Sequence, residues 1–191
     1  MFASFREFLC AAYGVERVEE LLASEPTYLL SEAYDDERFT ALIERTAVAT
    51  EEPVDELLRA FGGFTGERMF PRMYPAFYAV ALNTREFLLT VEQRIHALVR
   101  TTIPDARPPE LEVSPLGPDG VSIVYNSPRQ LCVLLRGLAE GTARRYGETA
   151  IADESTCMLR GDAACTLELR FAPAINGERH ASARVRHRSV A

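Results

Sequence analysis

The sequence lacks long apolar runs and a recognisable leader. No apolar run approaches the roughly 18 residues that a membrane-spanning helix needs. The first ten residues, MFASFREFLC, carry a base and an acid early and do not follow the basic-then-apolar layout of a signal peptide. We therefore predict a cytoplasmic protein without a membrane partner. Cysteines in that compartment are more often reduced thiols or metal ligands than disulfides.

Negative charge outnumbers positive charge, and histidine is scarce. The net charge of −7 disfavours binding to a phosphate backbone, so we predict no nucleic-acid partner. His180 and His187 lie in the last dozen residues, which leaves His96 as the one histidine in the rest of the chain. A single histidine argues against a His-rich zinc centre and against most general-base schemes. Because no nucleophile–base pair stands out either, we predict that the chain is not an enzyme.

The amino-terminal third of the chain has the apolar spacing of helices. Apolar residues recur at three- and four-residue steps over 2–22, with a break at Gly14, and again over 35–49. A third helix is predicted to begin at Pro53, a favoured first helical position, and to end at Gly62-Gly63. This part of the sequence therefore predicts a helical layer.

An aromatic-rich segment, 66–82, follows and is interrupted by Pro71 and Pro75. Its composition favours plain core filling, although a loop and short helix packed over a hydrophobic group would have the same composition. The next helix is predicted from Thr84 to Thr101, with Pro104 closing it.

The carboxy-terminal half predicts strands around one helix. That helix covers 128–146, with Ser127 as its N-cap and Gly147 past its end. A turn-forming PLGPD joins the first two strands into a hairpin. The strand-like segments are 110–114, 120–126, 148–153, 155–159 and the run ACTLELRF. We therefore predict an α+β fold, with a helical amino-terminal layer and a four-stranded antiparallel sheet covered by helices.

One domain is predicted for residues 1–171, which is a length that can bury a sizeable core. Residues 172–191 are small, polar and basic, and predict a mobile tail. His180 and His187 fall in this tail, so we do not consider them site residues.

His96 lies at the margin of the apolar face of its predicted helix, on a side shared with Leu89, Glu92 and Val99. Residue statistics alone favour a partly buried structural histidine. The alternative is a single axial bond to a haem iron, for which one neutral imidazole suffices.

Tyr125, Ser127 and Arg129 form a second candidate group. The first two fall at the end of a predicted strand, and Arg129 falls in the first turn of the predicted helix. A phenol, a hydroxyl and a guanidinium at the positive end of a helix would suit carboxylates. A plain junction of strand, cap and helix explains Ser127 and Pro128 equally well.

Taken together, these features resemble the H-NOX (haem–nitric oxide/oxygen binding) family, which is related to the haem domain of soluble guanylate cyclase. The resemblance covers roughly residues 5–171. It is carried by AAYGVERVEELL, EPVDELLRAFG, His96 with the downstream PDARPPELEV, and a Tyr-x-Ser-x-Arg motif that begins at Tyr125. The order and spacing of the histidine, the double proline and this motif are specific in combination.

The resemblance implies roles for particular residues. His96 would be the proximal ligand of a haem b iron, and the Tyr-x-Ser-x-Arg residues Tyr125, Ser127 and Arg129 would hold the haem propionates. Pro109 would press on the porphyrin. The remaining residues implied to line the haem are Phe5, Phe70 and Leu138, so the aromatic segment becomes a cofactor wall.

The resemblance also implies which gases the haem would bind. Leu134 falls where oxygen-binding members carry a tyrosine donor, so we predict nitric oxide binding, weaker carbon monoxide binding and no stable dioxygen complex. Tyr74 and Tyr78 could supply a donor that the sequence does not place. Weakening of the iron–His96 bond would free the helix and alter a signalling protein in trans, such as a histidine kinase or a cyclic-dinucleotide enzyme.

The cysteines offer a further site. A regular hairpin would place Cys157 and Cys165 opposite each other, within reach of a shared metal or a disulfide. Some relatives carry zinc here on three cysteines and one histidine, and the resemblance implies Cys132, Cys157 and Cys165 as ligands, with Glu154 at the histidine position. Three unlinked or redox-active thiols remain the alternative. A haem-independent zinc or thiol redox sensor is therefore the second functional hypothesis.

Overall fold

The computed structural model describes residues 1–28, 35–103 and 105–174. Its amino-terminal part is helical, as predicted. Gly14, with φ of 86°, separates the first two helices, and the Asp35 side chain caps the third by accepting a hydrogen bond from the Glu37 amide at 3.3 Å. The helices of this layer are α1 (Phe2–Tyr13), α2 (Val15–Leu21), α3 (Asp36–Thr50) and α4 (Val54–Phe64).

The prediction that Gly62-Gly63 ends the third predicted helix is wrong. This helix, α4, continues to Phe64 and runs directly into a π-helical segment, π1 (Thr65–Met69). The glycines serve a different purpose, because they allow α4 and π1 to lie against the helix α9 (Cys132–Arg145) with backbone touching backbone.

The closeness of this packing can be measured at each glycine. A β-carbon added at Gly62 would lie 2.4 Å from the Leu134 carbonyl oxygen, and one at Gly66 would lie 2.3 Å from that of Leu138. On α9, a β-carbon at Gly141 would lie 2.1 Å from the Gly63 carbonyl oxygen. Larger side chains on either helix would force the two apart.

The aromatic segment forms two short helices, and the helix predicted over 84–101 is irregular. Its middle is a second π-helical segment, π2 (Val91–His96), so that the predicted helix is three consecutive pieces. Pro104, which was predicted to close it, lies outside the described residues. The elements are α5 (Phe70–Met73), α6 (Pro75–Val80), α7 (Thr84–Thr90), π2, and α8 (Ala97–Thr102).

The described residues of the carboxy-terminal half form one antiparallel sheet of four strands, as predicted. In this sheet the first strand pairs with the second, the second with the fourth, and the fourth with the third. The strand-like residues predicted over 148–159 form one strand that ends at Thr156, with a register irregularity between Glu154 and Thr156, and a short 3₁₀ turn follows at Met158–Arg160. The strands are β1 (Glu110–Leu116), β2 (Gly120–Asn126), β3 (Glu148–Thr156) and β4 (Cys165–Pro173).

Two of the predicted boundaries shift in this half. The last strand includes Ala172 and Pro173, which had been assigned to the tail, whereas 175–191 lie outside the described residues. The helix α9 begins at Cys132 rather than 128, so Ser127 is not its N-cap. Gly147, with φ of 73°, follows its end as predicted.

Two apolar cores meet at α9. One lies within the amino-terminal helices and includes Leu134, and the other lies between the sheet, α7, π2 and α9. The helix α9 therefore joins the helical layer to the sheet, and a cavity lies between them.

Among the described residues, no helix is long and apolar enough to cross a membrane.

The close contact of Gly141 with the backbone of Gly63 predicts the sign of a change in stability. Gly141→Ala should lower the free energy of unfolding by about 1–3 kcal/mol, because the added methyl group meets backbone that cannot move aside. Helix propensity alone predicts the opposite, a gain of about 1 kcal/mol. Urea unfolding of the two proteins measures the difference, and a stabilised variant would contradict the packing argument.

Candidate functional site

The cavity has a volume of about 310 Å³, which is within the range of small-molecule and cofactor sites. Its walls are mostly apolar and come from both the helical layer and the sheet. The predicted site residues that line it are Phe70, His96, Pro109, Tyr125, Ser127, Arg129, Leu134 and Leu138. The structure thus brings together all but one of the residues implied to contact a cofactor.

The exception is Phe5, which does not line the cavity. Its side chain is fully buried in the amino-terminal core and packs edge-on against Phe61, with 5.1 Å between ring centroids. Phe61 lines the cavity, and on α1 the neighbouring Ser4 does so as well. Phe5 therefore packs behind Phe61, which forms part of the cavity wall.

His96 ends π2, and its side chain is 14% exposed. Its Nδ1 lies 2.7 Å from Glu92 Oε2, and the other carboxylate oxygen of Glu92 accepts from Arg100. Burial favours the neutral form of Glu92, but the bonds from Arg100 and His96 outweigh it and lower the pKa of this carboxyl group. Since an ionised carboxylate only accepts hydrogen bonds, Nδ1 carries the proton of this contact, and in the neutral imidazole Nε2 then has the lone pair.

The three residues of the Tyr-x-Ser-x-Arg motif lie together, but not at a helix end. Ser127 Oγ accepts from the Arg129 amide at 3.3 Å, in a turn that precedes α9. Gln130 has φ of 50°, a left-handed conformation that delays the start of the helix. The predicted position of Arg129 in a first helical turn is therefore wrong, and any anion binding here rests on the side chains.

Two contacts define what these side chains can bind. The Tyr125 hydroxyl accepts from the Leu131 amide at 3.0 Å and keeps its own proton for another acceptor, and burial raises the pKa of this phenol. The Arg129 guanidinium holds a carboxylate from the helical layer, with Nε 2.6 Å from Asp36 Oδ1. The motif is therefore already shaped for carboxylates.

A hydroxyl in the wall was missed by sequence reasoning. Thr65, in π1, lines the cavity, and its Oγ1 is buried without a hydrogen-bond partner. Tyr78 is not a free donor, because its hydroxyl lies 3.1 Å from the Gly66 carbonyl oxygen and 3.3 Å from Thr142 Oγ1. Tyr74 lines the cavity. Nothing in the helical pattern indicated that a π-helical segment would place Thr65 here.

Three cysteines form a separate buried group. The Sγ atoms of Cys132, Cys157 and Cys165 lie within 4.8 Å of one another, with 3.6 Å from Cys157 to Cys132 and 3.9 Å from Cys157 to Cys165. They come from the start of α9, the end of β3 and the start of β4. Burial and the neighbouring thiols raise the pKa of Cys132, which favours neutral thiols unless a cation is bound.

Glu154 lies outside the set of sulfur atoms that are within 4.8 Å of one another, and its carboxylate pairs with Arg160, with 3.0 Å between Nη1 and Oε1. The same carboxylate also lies beside Cys157, where burial first and then the Glu154 side chain raise the pKa of the thiol. The loop after Cys157 is held by the Asp162 carboxylate, which accepts from the Cys157 amide at 2.7 Å, and the Met158 amide donates to the Cys165 sulfur at 3.2 Å. The three thiols are therefore held close together, with the Glu154 carboxylate beside Cys157.

An apolar cavity with one imidazole and a carboxylate-binding trio defines a class of site, one suited to a flat apolar cofactor that carries acidic groups. The sequence model described as Haem-NO-binding matches residues 1–153. The chain therefore belongs to the Haem-NO-binding family, a family of haem-based gas sensors. No match was found among curated proteins.

Solved H-NOX structures share the fold. An H-NOX protein from S. oneidensis in the Fe(II)NO state is 20% identical, with a TM-score of 0.81, and the alignment covers 90% of this chain and 97% of that one. The Fe(II)CO form of an H-NOX domain from Shewanella oneidensis is 21% identical over 90% and 96% of the two chains, with a TM-score of 0.81. Unliganded Fe(II) H-NOX from K. algicida is 20% identical over 91% and 96%, with a TM-score of 0.78.

Proposed function

We propose that this chain senses nitric oxide through a haem b group held by His96. The observation that carries the proposal is that one cavity is lined both by His96, whose Nδ1 is engaged by Glu92, and by the Tyr125, Ser127 and Arg129 trio. When bound, ferrous haem supplies a coordination position for nitric oxide or carbon monoxide.

The residues present fit that cofactor. The Asp36 carboxylate on Arg129 is a stand-in for a propionate, and the Tyr125 hydroxyl has a proton to donate beside it. Leu134, Leu138 and Phe61 would supply the apolar surface that excludes water from the porphyrin, and Pro109, which also lines the cavity, would press on the ring. Asp36 would exchange with, or share, the propionate on Arg129.

The segment π2, which carries His96, would transmit a conformational change to the rest of the protein. The segment π2 packs against β1 and continues into α8, so a displacement of His96 would move both of its neighbours. The partner in trans, whether a histidine kinase or a cyclic-dinucleotide enzyme, stays a prediction from the family resemblance.

Haem loading tests the proposal directly. The reduced, reconstituted protein should show a Soret band that shifts with nitric oxide and, at higher concentration, with carbon monoxide. His96→Gly should lose most of the haem, and added imidazole should restore the spectrum because it replaces the missing ligand. Absence of a Soret band in the unaltered protein after reconstitution would overturn the proposal.

Gas selectivity follows from the wall residues. We expect no stable dioxygen complex when the reduced protein meets air, because Leu134 has no hydrogen to donate. The one result that would contradict this is a persistent dioxygen spectrum, which stopped-flow absorption would detect. Loss of such a complex in Thr65→Val would assign the donor to Thr65. Thr84→Val is the matched control, since Thr84 Oγ1 is also buried without a partner but does not line the cavity.

A second candidate function is zinc binding or thiol redox sensing by Cys132, Cys157 and Cys165. Tetrahedral zinc with Zn–S bonds of about 2.3 Å requires sulfur atoms about 3.8 Å apart. The distances of 3.6 and 3.9 Å are close to that value. A water molecule or a nearby carboxylate would complete the coordination.

Metal analysis separates this function from haem sensing. We expect one zinc per chain, lost on oxidation and lost in Cys157→Ser, whatever the haem content. Cys10→Ser is the control, because Cys10 lies outside the thiol group and should leave the zinc content unchanged. A metal-free protein after purification with added zinc would rule out the metal form of this candidate.

A further inference from the structure

Glu92, His96 and Arg100 form a chain of contacts along one face of π2 and α8. The residues are spaced four apart, so each side chain lies above the preceding one. The His96 ring donates to Glu92 across 2.7 Å, and Arg100 holds the remaining oxygen of the same carboxylate. The exposed fractions of the side chains are 14% for His96, 29% for Glu92 and 42% for Arg100.

The chain of contacts orients the histidine. With Nδ1–H directed to an ionised carboxylate, one tautomer is selected and rotation of the ring is restricted. Nε2 is the nitrogen left with a lone pair. The carboxylate is itself fixed by Arg100, so the imidazole is held through two successive bonds from its own helix.

A carboxylate on the far nitrogen of a ligating histidine also changes the ligand. Such partners fix ring orientation and raise the basicity of the nitrogen that binds the metal. A simple ion pair on a helix surface would affect stability alone, whereas this pair includes His96, which lines the cavity.

We propose that Glu92 is a positioning residue for His96 and that it strengthens the bond from Nε2 to the haem iron. The proposal rests on the proposed haem function. Its consequence is that His96 leaves the iron less readily when nitric oxide binds than an imidazole without a carboxylate partner would. Glu92 thereby sets the threshold at which binding of the gas releases π2.

The iron–histidine stretch in the resonance Raman spectrum of the reduced, ligand-free protein tests the strength of the bond. Glu92→Gln keeps the shape of the side chain and removes its charge, so the stretch should move to lower wavenumber. The share of the nitric oxide complex that retains His96, read from its absorption spectrum, should fall. An unchanged stretch in a haem-loaded Glu92→Gln variant would overturn the proposal.

Glu67→Gln is the matched control. Glu67 also lies in a π-helical segment and pairs with an arginine, with 2.9 Å between its Oε2 and Arg144 Nε, but unlike Glu92 it does not contact His96. This variant should leave the iron–histidine stretch unchanged. A shift as large as that of Glu92→Gln would mean that loss of an ion pair, rather than contact with His96, causes the effect.

A haem-free experiment separates this proposal from the function beneath it. Nitrogen-15 NMR of the haem-free protein, at a pH where imidazole is neutral, reports the tautomer of His96. The His96 signal is assigned as the imidazole signal that is missing from the spectrum of His96→Ala. The Nδ1–H form should dominate and should give way to a mixture in Glu92→Gln. A dominant Nε2–H form would overturn the positioning role, whereas failure to load haem alongside the expected tautomer would contradict only the haem function.

Discussion

The contact between α4–π1 and α9 is the constraint on which the rest of the structure depends. Glycines on both sides let the two backbones touch, so α9 can face the helical layer and the sheet at once. Leu134 and Leu138 project from this contact into the cavity, and Cys132 at its start reaches the strand ends. Both candidate sites therefore depend on the distance at which α9 packs against α4 and π1.

The architecture could be read from the sequence because it rests on local signals. The break at Gly14, the hairpin around PLGPD and the glycine after α9 are each determined by a few neighbouring residues. The errors have the opposite origin. Gly62-Gly63 has the local signature of a helix end, but packing against α9, more than seventy residues later along the chain, overrides it.

Site residues that belong to a sequence motif could be predicted, whereas residues that line the cavity only because of the local helix geometry could not. Sequence reasoning gathered His96, Pro109 and the residues from Tyr125 onward, and the structure places them around one cavity. It misplaced Phe5, which was assigned from the family resemblance and whose ring packs edge-on against Phe61 instead of lining the cavity. It also missed Thr65, because Thr65 belongs to a π-helical segment whose shifted register the 3.6-residue pattern cannot anticipate.

The cavity itself argues that the fold is completed by an occupant. The cavity has a volume of about 310 Å³ and mostly apolar walls, whose side chains lack neighbouring protein atoms on the side that faces the cavity. Apolar groups without such neighbours lose the dispersion contacts of a filled interior. The walls also hold a buried hydroxyl without a partner at Thr65. A ligand that fills this space restores those contacts and stabilises the folded chain by its own binding energy, so cofactor binding and folding are linked.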